Sequence, residues 1–376
     1  MRIALRADAS SQIGTGHVMR SLTLADALAQ RHGATCTFVC RELPAALAAR
    51  LSAAGHAVAR LPPAARGART AADPPHADWL AASQEVDAAQ TCAVLPHGCD
   101  GLIVDHYALD ARWGAAVGAA TGARLLVIDD LGDRDLEADL LLDQNLQPAD
   151  GLRYAGRLPS RCRPLLGPGY ALLRPEFAAA RGEAPRGAPR IFVFLSGADP
   201  DDHTGAVLRA LDRRLPPQVE VEAVVGELHP HKDALSALCA ARPGWALQVN
   251  VSDMARRMSR AHLAVGTGGS TTWERCAVGL PSALVAMADN QVQVVHEAAR
   301  AGVALDLGDL RDGDVDAIAA SAAHAIQDPA LLARLREACL ALVDGLGAAR
   351  VADVFADMVR GQPCAGELAP SPAGGG

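Results

Sequence analysis

"RADASSQIGTGHVMRSLTLADAL", residues 6–28, decides how the rest of the chain is read. A strand ending in charged residues runs into a turn spaced by Gly14 and Gly16, and apolar residues then recur at helical spacing. Strand, glycine turn and helix in that order open a βα unit, and the two glycines allow a tight turn that exposes backbone N–H groups. The stretch only superficially matches a dinucleotide fingerprint. Met19 or Arg20 stands where the third glycine belongs, and no clear acidic partner ends the second strand, so a nicotinamide cofactor is the weakest reading. His17 falls in the first turn of the helix, where the positive dipole end disfavours imidazolium. A neutral imidazole that accepts a proton is the state a general base needs. A histidine merely bonded to its loop is the plain alternative.

Outward from there, short leucine- or valine-rich runs alternate with alanine-rich amphipathic ones, as in a parallel sheet built from βα units. The expected strands of the first half are "RIALRAD", "ATCTFVC", "HAVARL", "GLIVDHY", "RLLVIDD" and "DLLLDQ", with helices over 17–31, 43–54, 78–92 and 110–121. The Pro- and Gly-rich "ARGEAPRGAP", 180–189, reads as a linker, after which "RIFVFLSGADP" starts a second alternating series. Helices are expected near 204–214, 231–241, 252–260, 271–279 and 291–301, with long helical patterns over 314–360. The fold class is therefore α/β, with two Rossmann-like domains, 1–180 and 188–361, facing each other across a cleft, and a disordered tail over 362–376. The stretch around 62–79 reads as an extended surface loop.

The chain has 376 residues, half of them hydrophobic, a formal charge of −8 and a pI near 5.8. That leaves no broad cationic surface, so nucleic acid is not an expected partner, while a local basic pocket for a phosphorylated ligand stays open. Nine cysteines without a CxxC pair argue against a zinc ribbon or a disulfide scaffold. No apolar run approaches the roughly 20 residues that span a bilayer, and "MRIALRAD" lacks the features of a signal peptide, so a cytoplasmic monomer without membrane insertion is expected.

Several turns carry candidate chemistry. "GTGGSTTWE", 266–274, ends a strand in glycines and starts a helix with Ser270 and Thr271, so backbone N–H groups of Gly268, Gly269, Ser270 and Thr271 and the positive helix end can hold a phosphate. It is neither a Walker A loop nor GxGxxG. Glu274, three residues after Thr271, reads either as a capping-box residue reaching back to the Thr271 N–H or as a carboxylate for ribose hydroxyls. In "MADNQ", 287–291, Asp289 is the plain N-cap, and Asn290 and Gln291 have the amide groups to read sugar hydroxyl or acetamido groups. "IVDHYALD", 103–110, sets Asp105, His106 and Tyr107 at a strand end. Asp105 and His106 invite a metal, but no third ligand stands at a characteristic spacing, so no metal and no cofactor are expected. Ser196 in "LSGADPDDHTG" lacks the G-x-S-x-G elbow of a nucleophile. Of the carboxylates in 127–145, Asp129 and Asp130 are the pair placed to face a substrate.

Taken in order, "RADASSQIGTGHVMRSLTLA", "VDHYALD", "VIDDLGDR", "LLDQN", "LLGPGYALLRPEF", "LSGADPDDHTG", "GTGGSTTWERCAVGLPS" and "ADNQ" resemble the UDP-2,4-diacetamido-2,4,6-trideoxy-β-L-altropyranose hydrolases of pseudaminic acid biosynthesis, the PseG family. That family is similar in fold to the GT-B glycosyltransferases. The resemblance implies metal-independent cleavage of the sugar–oxygen bond at the anomeric carbon with inversion, His17 as the essential histidine and Tyr107 as the aromatic residue of the sugar pocket. It further implies that Glu274 binds the uridine ribose, the 268–271 turn the diphosphate, Asn290 or Gln291 the sugar, and that Gly14, Gly16 and Arg20 belong to the substrate-binding set. A GT-B transferase that passes the sugar to an acceptor hydroxyl and a non-catalytic nucleotide-sugar-binding subunit are the alternative readings.

Overall fold

The computed structural model describes residues 1–64, 70–71, 73–95, 97–148, 151–227, 229–311 and 313–362. All but Gln362 of the expected tail, and part of the 62–79 loop, lie outside them. Two compact units emerge. The first contains Met1–Asp143, Arg153–Leu165 and the C-terminal helix from Ala348, and the second Gln144–Leu152 and Leu166–Gly347.

The first unit runs β1 (Arg2–Ala7), α1 (Gly16–His32), β2 (Thr35–Cys40), α2 (Ala45–Ala53), β3 (Ala57–Arg60), a 3-10 turn (Ala77–Trp79), α3 (Gln84–Ala93), β4 (Gly101–Asp105), α4 (Ala111–Thr121), β5 (Arg124–Ile128), β6 (Leu140–Asp143) and β7 (Arg163–Leu166). Its sheet has the order β3-β2-β1-β4-β5-β6-β7, and β1 pairs in parallel with both β2 and β4. The chain thus steps outward from β1 to β3 and then restarts on the other side of β1. The carboxyl ends of β1 and β4 flank that reversal, where ligands of open α/β sheets bind. Of the elements here, β7 and the 3-10 turn were not expected, and α3 starts later than the expected 78. Ala81, with φ of 54°, interrupts the helical path, and Ser83 then caps α3 by accepting from the Val86 N–H at 3.3 Å.

The second unit holds α5 (Pro175–Ala179), β8 (Arg190–Phe194), α6 (His203–Arg214), β9 (Glu220–Val225), α7 (Lys232–Ala240), β10 (Trp245–Val249), α8 (Met254–Ser259), β11 (Leu263–Thr267), α9 (Ser270–Val278), β12 (Ser282–Ala286), α10 (Asp289–Arg300), β13 (Ala304–Asp309), α11 (Val315–Ala325) and α12 (Pro329–Leu342). The order β10-β9-β8-β11-β12-β13 repeats the same winding, with the reversal between β8 and β11. Strand alternation divides its interior. Ile191, Val193, Leu263, Val265, Ala283 and Val285 enter the core on one face, and Phe192, Ala264 and Leu284 the core on the other. Both faces are covered, so these strands read as continuous apolar runs.

The terminal helix α13 (Gly347–Arg360) departs from the expected division at 180–188. It buries Val351, Ala352, Phe355 and Ala356. A Cβ on Gly101 would stand 2.8 Å from Phe355 Cζ and 2.9 Å from Val359 Cγ2, so a glycine at the start of β4 is what admits the helix to the first unit. Periodicity shows that a helix has an apolar face and is silent about which sheet will cover it. Among the described residues no helix is long and apolar enough to cross a membrane.

Candidate active site

At the reversal of the first sheet, Gly14 takes φ of 77° and its N–H donates to Ser10 O at 2.8 Å, which closes the expected tight turn after β1. Gly16 is the first residue of α1, and His17 follows in its first turn. The His17 Nδ1 lies 2.5 Å from Asp105 Oδ1, at the end of β4. Arg20, one helical turn on, grips the same carboxylate with two prongs, Nε to Oδ2 and Nη2 to Oδ1, both at 2.6 Å. Its Nη1 donates to Asp130 Oδ2 at 3.2 Å, and the Tyr107 hydroxyl donates to Asp130 Oδ1. Burial alone would raise the Asp105 carboxyl. The charge of Arg20 and the hydrogen bonds that Arg20 and His17 donate outweigh it and hold the group well below the usual carboxylate range. An ionised carboxylate can only accept, so His17 Nδ1 carries the proton facing it and Nε2 is left as the basic nitrogen. That is a histidine oriented by a buried carboxylate, the arrangement of a general base and its orienting partner.

An aromatic wall stands beside it. The Tyr107 ring meets His17 edge-on at 4.6 Å between centroids, Trp79 lies 5.7 Å from Tyr107 and 6.5 Å from His17, and His76 is 4.5 Å from Trp79. Trp79 is half-buried and arrives from the segment before α3, inside the helix expected over 78–92.

The other candidates around this edge resolve into structural roles. His106 is buried, its Nδ1 accepting from the Ala108 N–H at 3.1 Å and its Nε2 3.2 Å from Asp8 Oδ2. Asp129 accepts from the Leu131 and Gly132 amides and from Arg134, so of the 129–130 pair only Asp130 meets the His17 cluster. The buried Arg6 of the opening stretch bridges Asp8 and Asp87 at 2.7 and 2.8 Å and so ties β1 to α3. Among the described residues no group of three or more His, Cys, Asp or Glu side chains is placed to hold a metal ion.

The second unit presents its own site at the equivalent reversal, where β11 ends in Thr267. The Thr267 hydroxyl donates to Leu195 O at 2.9 Å and so links β11 to the end of β8. Gly269 precedes α9, and its N–H donates to Thr272 Oγ1 at 3.3 Å. The helix therefore starts at Ser270, and Thr272 fills the position that the spacing suggested for Glu274. The capping-box expectation for Glu274 is corrected. Instead, Glu274 Oε1 faces Arg174 Nη2 at 3.7 Å, and burial, opposed by Arg174 and Arg275, pushes its carboxyl up to about 7. The two glycines of the turn differ. A Cβ on Gly268 would stand 2.6 Å from Val295 Cγ2 and 2.9 Å from Gln291 O, whereas one on Gly269 meets nothing within 4 Å. Gly268 is demanded by packing and Gly269 leaves the backbone open to a ligand. Among the described residues no acceptor bonds the amides of Ser270 and Thr271, as the free first turn of a helix requires of an anion site.

In the next loop Asp289 is the first residue of α10 rather than its cap. It is exposed and pairs with Arg311 at 2.8 Å, while Gln291 Oε1 caps the turn by accepting from the Met287 N–H at 2.8 Å. The amide N–H₂ of Gln291 and the exposed side chain of Asn290 remain as polar groups beside the turn. Ser196 Oγ accepts from the Ala198 N–H at 3.3 Å, a local turn bond.

No family model matches the chain. It is similar to the spore coat polysaccharide biosynthesis protein SpsG of Bacillus subtilis (strain 168), 28% identical over 197 residues, 51% of this chain and 58% of that relative. It is likewise similar to the UDP-2,4-diacetamido-2,4,6-trideoxy-β-L-altropyranose hydrolase of Campylobacter jejuni, 25% identical over 199 residues, 53% of this chain and 61% of that one. The match thus spans less than two thirds of either curated relative. Among solved structures, MurG of Acinetobacter baumannii superposes with a TM-score of 0.64 at 15% identity, over 95% of this chain and all of that one. The calicheamicin glycosyltransferase CalG4 superposes with 0.62 at 16% identity, over 98% of this chain and 100% of that one. Together with the two doubly wound sheets, these likenesses show the two-domain α/β architecture of the GT-B fold.

Proposed function

We propose that the chain hydrolyses a UDP-activated amino sugar, of which UDP-2,4-diacetamido-2,4,6-trideoxy-β-L-altropyranose is the first candidate, to UDP and free sugar. The observation that carries this reading is His17 held by an ionised Asp105 at a strand-switch edge. Similarity to the Campylobacter hydrolase supports the choice of substrate.

In this reading the Nε2 of His17 takes a proton from water as the water attacks the anomeric carbon and the sugar–oxygen bond breaks, a role that contributes about 100- to 10,000-fold in rate. Asp105 keeps the imidazole in the tautomer that does so and stabilises the imidazolium that forms, while Arg20 holds Asp105 in place. Tyr107, with the Gly14–Gly16 turn, belongs to the sugar side. UDP leaves as an anion received by the amides of the 268–271 turn and the positive end of α9, which needs no divalent metal. Glu274, as a carboxylate, accepts from the ribose hydroxyls, and Asn290 and Gln291 offer amide groups to the sugar. The GT-B fold suits equally a transferase that gives the sugar to an acceptor hydroxyl in place of water.

The test is turnover of the UDP-sugar by EDTA-treated protein in H₂¹⁸O, beside His17→Ala. Unlabelled UDP, labelled sugar and a variant that still binds UDP but scarcely turns over are expected. A wild type that releases UDP only when an acceptor is added moves the assignment to the transferase, and label on UDP moves the attack to phosphorus.

A further inference from the structure

We infer that Arg275, buried behind the turn at 267–271, is the fixed positive charge against which that turn holds a diphosphate. The inference rests on the nucleotide grip proposed above and names the group that would stand in for a metal there. Arg275 is fully buried. Its Nη2 donates to Thr267 O at 2.7 Å and to Thr272 Oγ1 at 3.2 Å, so one guanidinium braces both ends of the turn. Its Nη1 lies against Gly266, at the end of β11 beside the reversal, where any larger residue would collide with it.

The electrostatics are unusual for a core. Among the described residues no hydrogen-bond partner meets Arg275 Nε or Nη1, and the guanidinium makes no ion pair within 4.0 Å, although its charge is felt by the neighbouring Glu274 carboxyl. Burial lowers its pKa to about 10, which still leaves it charged at neutral pH. A buried cation with no carboxylate in direct contact is costly to the fold, and an apolar side chain of similar volume often serves stability as well or better. Two hydrogen bonds to the turn do not require a full charge. A bound anion completes the arrangement, because the unbonded amides of Ser270 and Thr271, the positive end of α9 and the guanidinium all bear on the same few residues. The ligand class is a diphosphate rather than a single carboxylate, since its two or three negative charges match a monopole added to a helix end. Arg275 is thus a positioning residue that acts through the turn.

The test uses Arg275→Met and Arg275→Lys in the full chain, with calorimetric titration of uridine, UDP and inorganic pyrophosphate and a thermal melt of each ligand-free protein. For Arg275→Met, UDP and pyrophosphate are expected to bind at least about tenfold more weakly, the size of one unit charge acting on another over about 12 Å at an effective dielectric near 20. Uridine affinity is expected to stay within about twofold, and the ligand-free melting temperature to hold or rise, because a buried charge without a directly paired carboxylate is gone. Arg275→Lys keeps the charge and is expected to recover part of the pyrophosphate affinity. Unchanged pyrophosphate binding by Arg275→Met overturns the inference. So does a parallel loss of uridine binding with a lower melting temperature, which marks a brace and nothing more. A wild type that binds neither UDP nor pyrophosphate removes the nucleotide grip itself and this inference with it, whereas a binding wild type beside an indifferent variant removes only Arg275.

Discussion

Replacing Asp105 by asparagine tests the proposed base more sharply than removing His17, because the side chain keeps its size and loses only its charge. In the structure the carboxylate is fully buried and takes three short contacts, from His17 Nδ1 at 2.5 Å and from Arg20 Nε and Nη2 at 2.6 Å each. An asparagine has one acceptor oxygen and one donor nitrogen for these three N–H groups. In either orientation the amide N–H₂ opposes one Arg20 donor, Nε at the Oδ2 position or Nη2 at the Oδ1 position, but at the Oδ1 position it also meets His17, whose ring can change tautomer and accept, and that is the orientation expected. His17 Nδ1 then accepts, the proton moves to Nε2, and the basic nitrogen is lost. A base removed by tautomer alone costs about two to four decades in kcat, or roughly 3–5 kcal/mol at 1.36 kcal/mol per decade. The substitution also weakens the pairing of Arg20, which keeps Asp130 at 3.2 Å, so the fold is expected to survive with a lower melting temperature. The assay is steady-state UDP release, with UDP titrated calorimetrically and each protein melted to certify its folded fraction. UDP affinity within about threefold of wild type, with kcat down at least about a hundredfold, is expected. An Asp105→Asn protein that is folded and turns over within about threefold of wild type would refute the tautomer argument and, with it, the role of His17 as base.

With Glu274 in the proposed ribose role, its raised carboxyl, at about 7, is expected to make uridine binding pH-dependent. A carboxylate that accepts from ribose hydroxyls must be ionised, so affinity for uridine, which has no group of its own titrating near neutrality, is expected to fall by up to about tenfold per pH unit below 7 and to level off above it. Glu274→Gln flattens that profile, and a wild-type profile already flat between pH 5 and pH 8 would contradict the ribose role. The same raised value has the opposite sign for stability. The folded state binds the proton more tightly than the unfolded chain, so this group's contribution is present below about 4.5 and is lost as the pH rises through about 7, a drift that melts of wild type against Glu274→Gln should reveal. Gly268 and Gly269 separate packing from the proposed binding. Gly268→Ala drives a Cβ to 2.6 Å from Val295 and is expected to lower the melting temperature and UDP affinity together, whereas Gly269→Ala faces open space on an extended backbone and should melt as wild type. Equal melting temperatures for the two variants would contradict this.

Much of the fold could be read along the chain because strand and helix periods are local. The runs that became β1, β2, β4 and β5 and the helices α1, α4 and α6 stand within a few residues of where apolar spacing puts them. β7, "RPLL", and β13, "ALDLGD", escaped because one holds a proline and the other alternates with acids on a partly exposed face. The order of strands within each sheet, where Ile3 pairs with Gly101 and Ile191 with Leu263, and the return of α13 to the first unit, where Phe355 meets Gly101, depend on contacts between segments far apart in the chain, for which no local period exists. The candidate site divides in the same way. His17, the glycine turns and Tyr107 were marked by their place at strand ends, which is a local property. Asp105 was noticed as a polar residue at a strand end and a failed metal ligand, not as the partner of His17. Its partnership with a histidine 88 positions earlier is decided by β1 and β4 lying side by side, and so are the meeting of Asp130 with Arg20 and the arrival of Trp79 beside the ring of Tyr107. Glu274 and Thr272 show how fine the division is. A spacing of three residues named the wrong capping side chain, because the hydrogen bond that starts a helix is set by where the chain leaves the strand, and only the packed structure determines that.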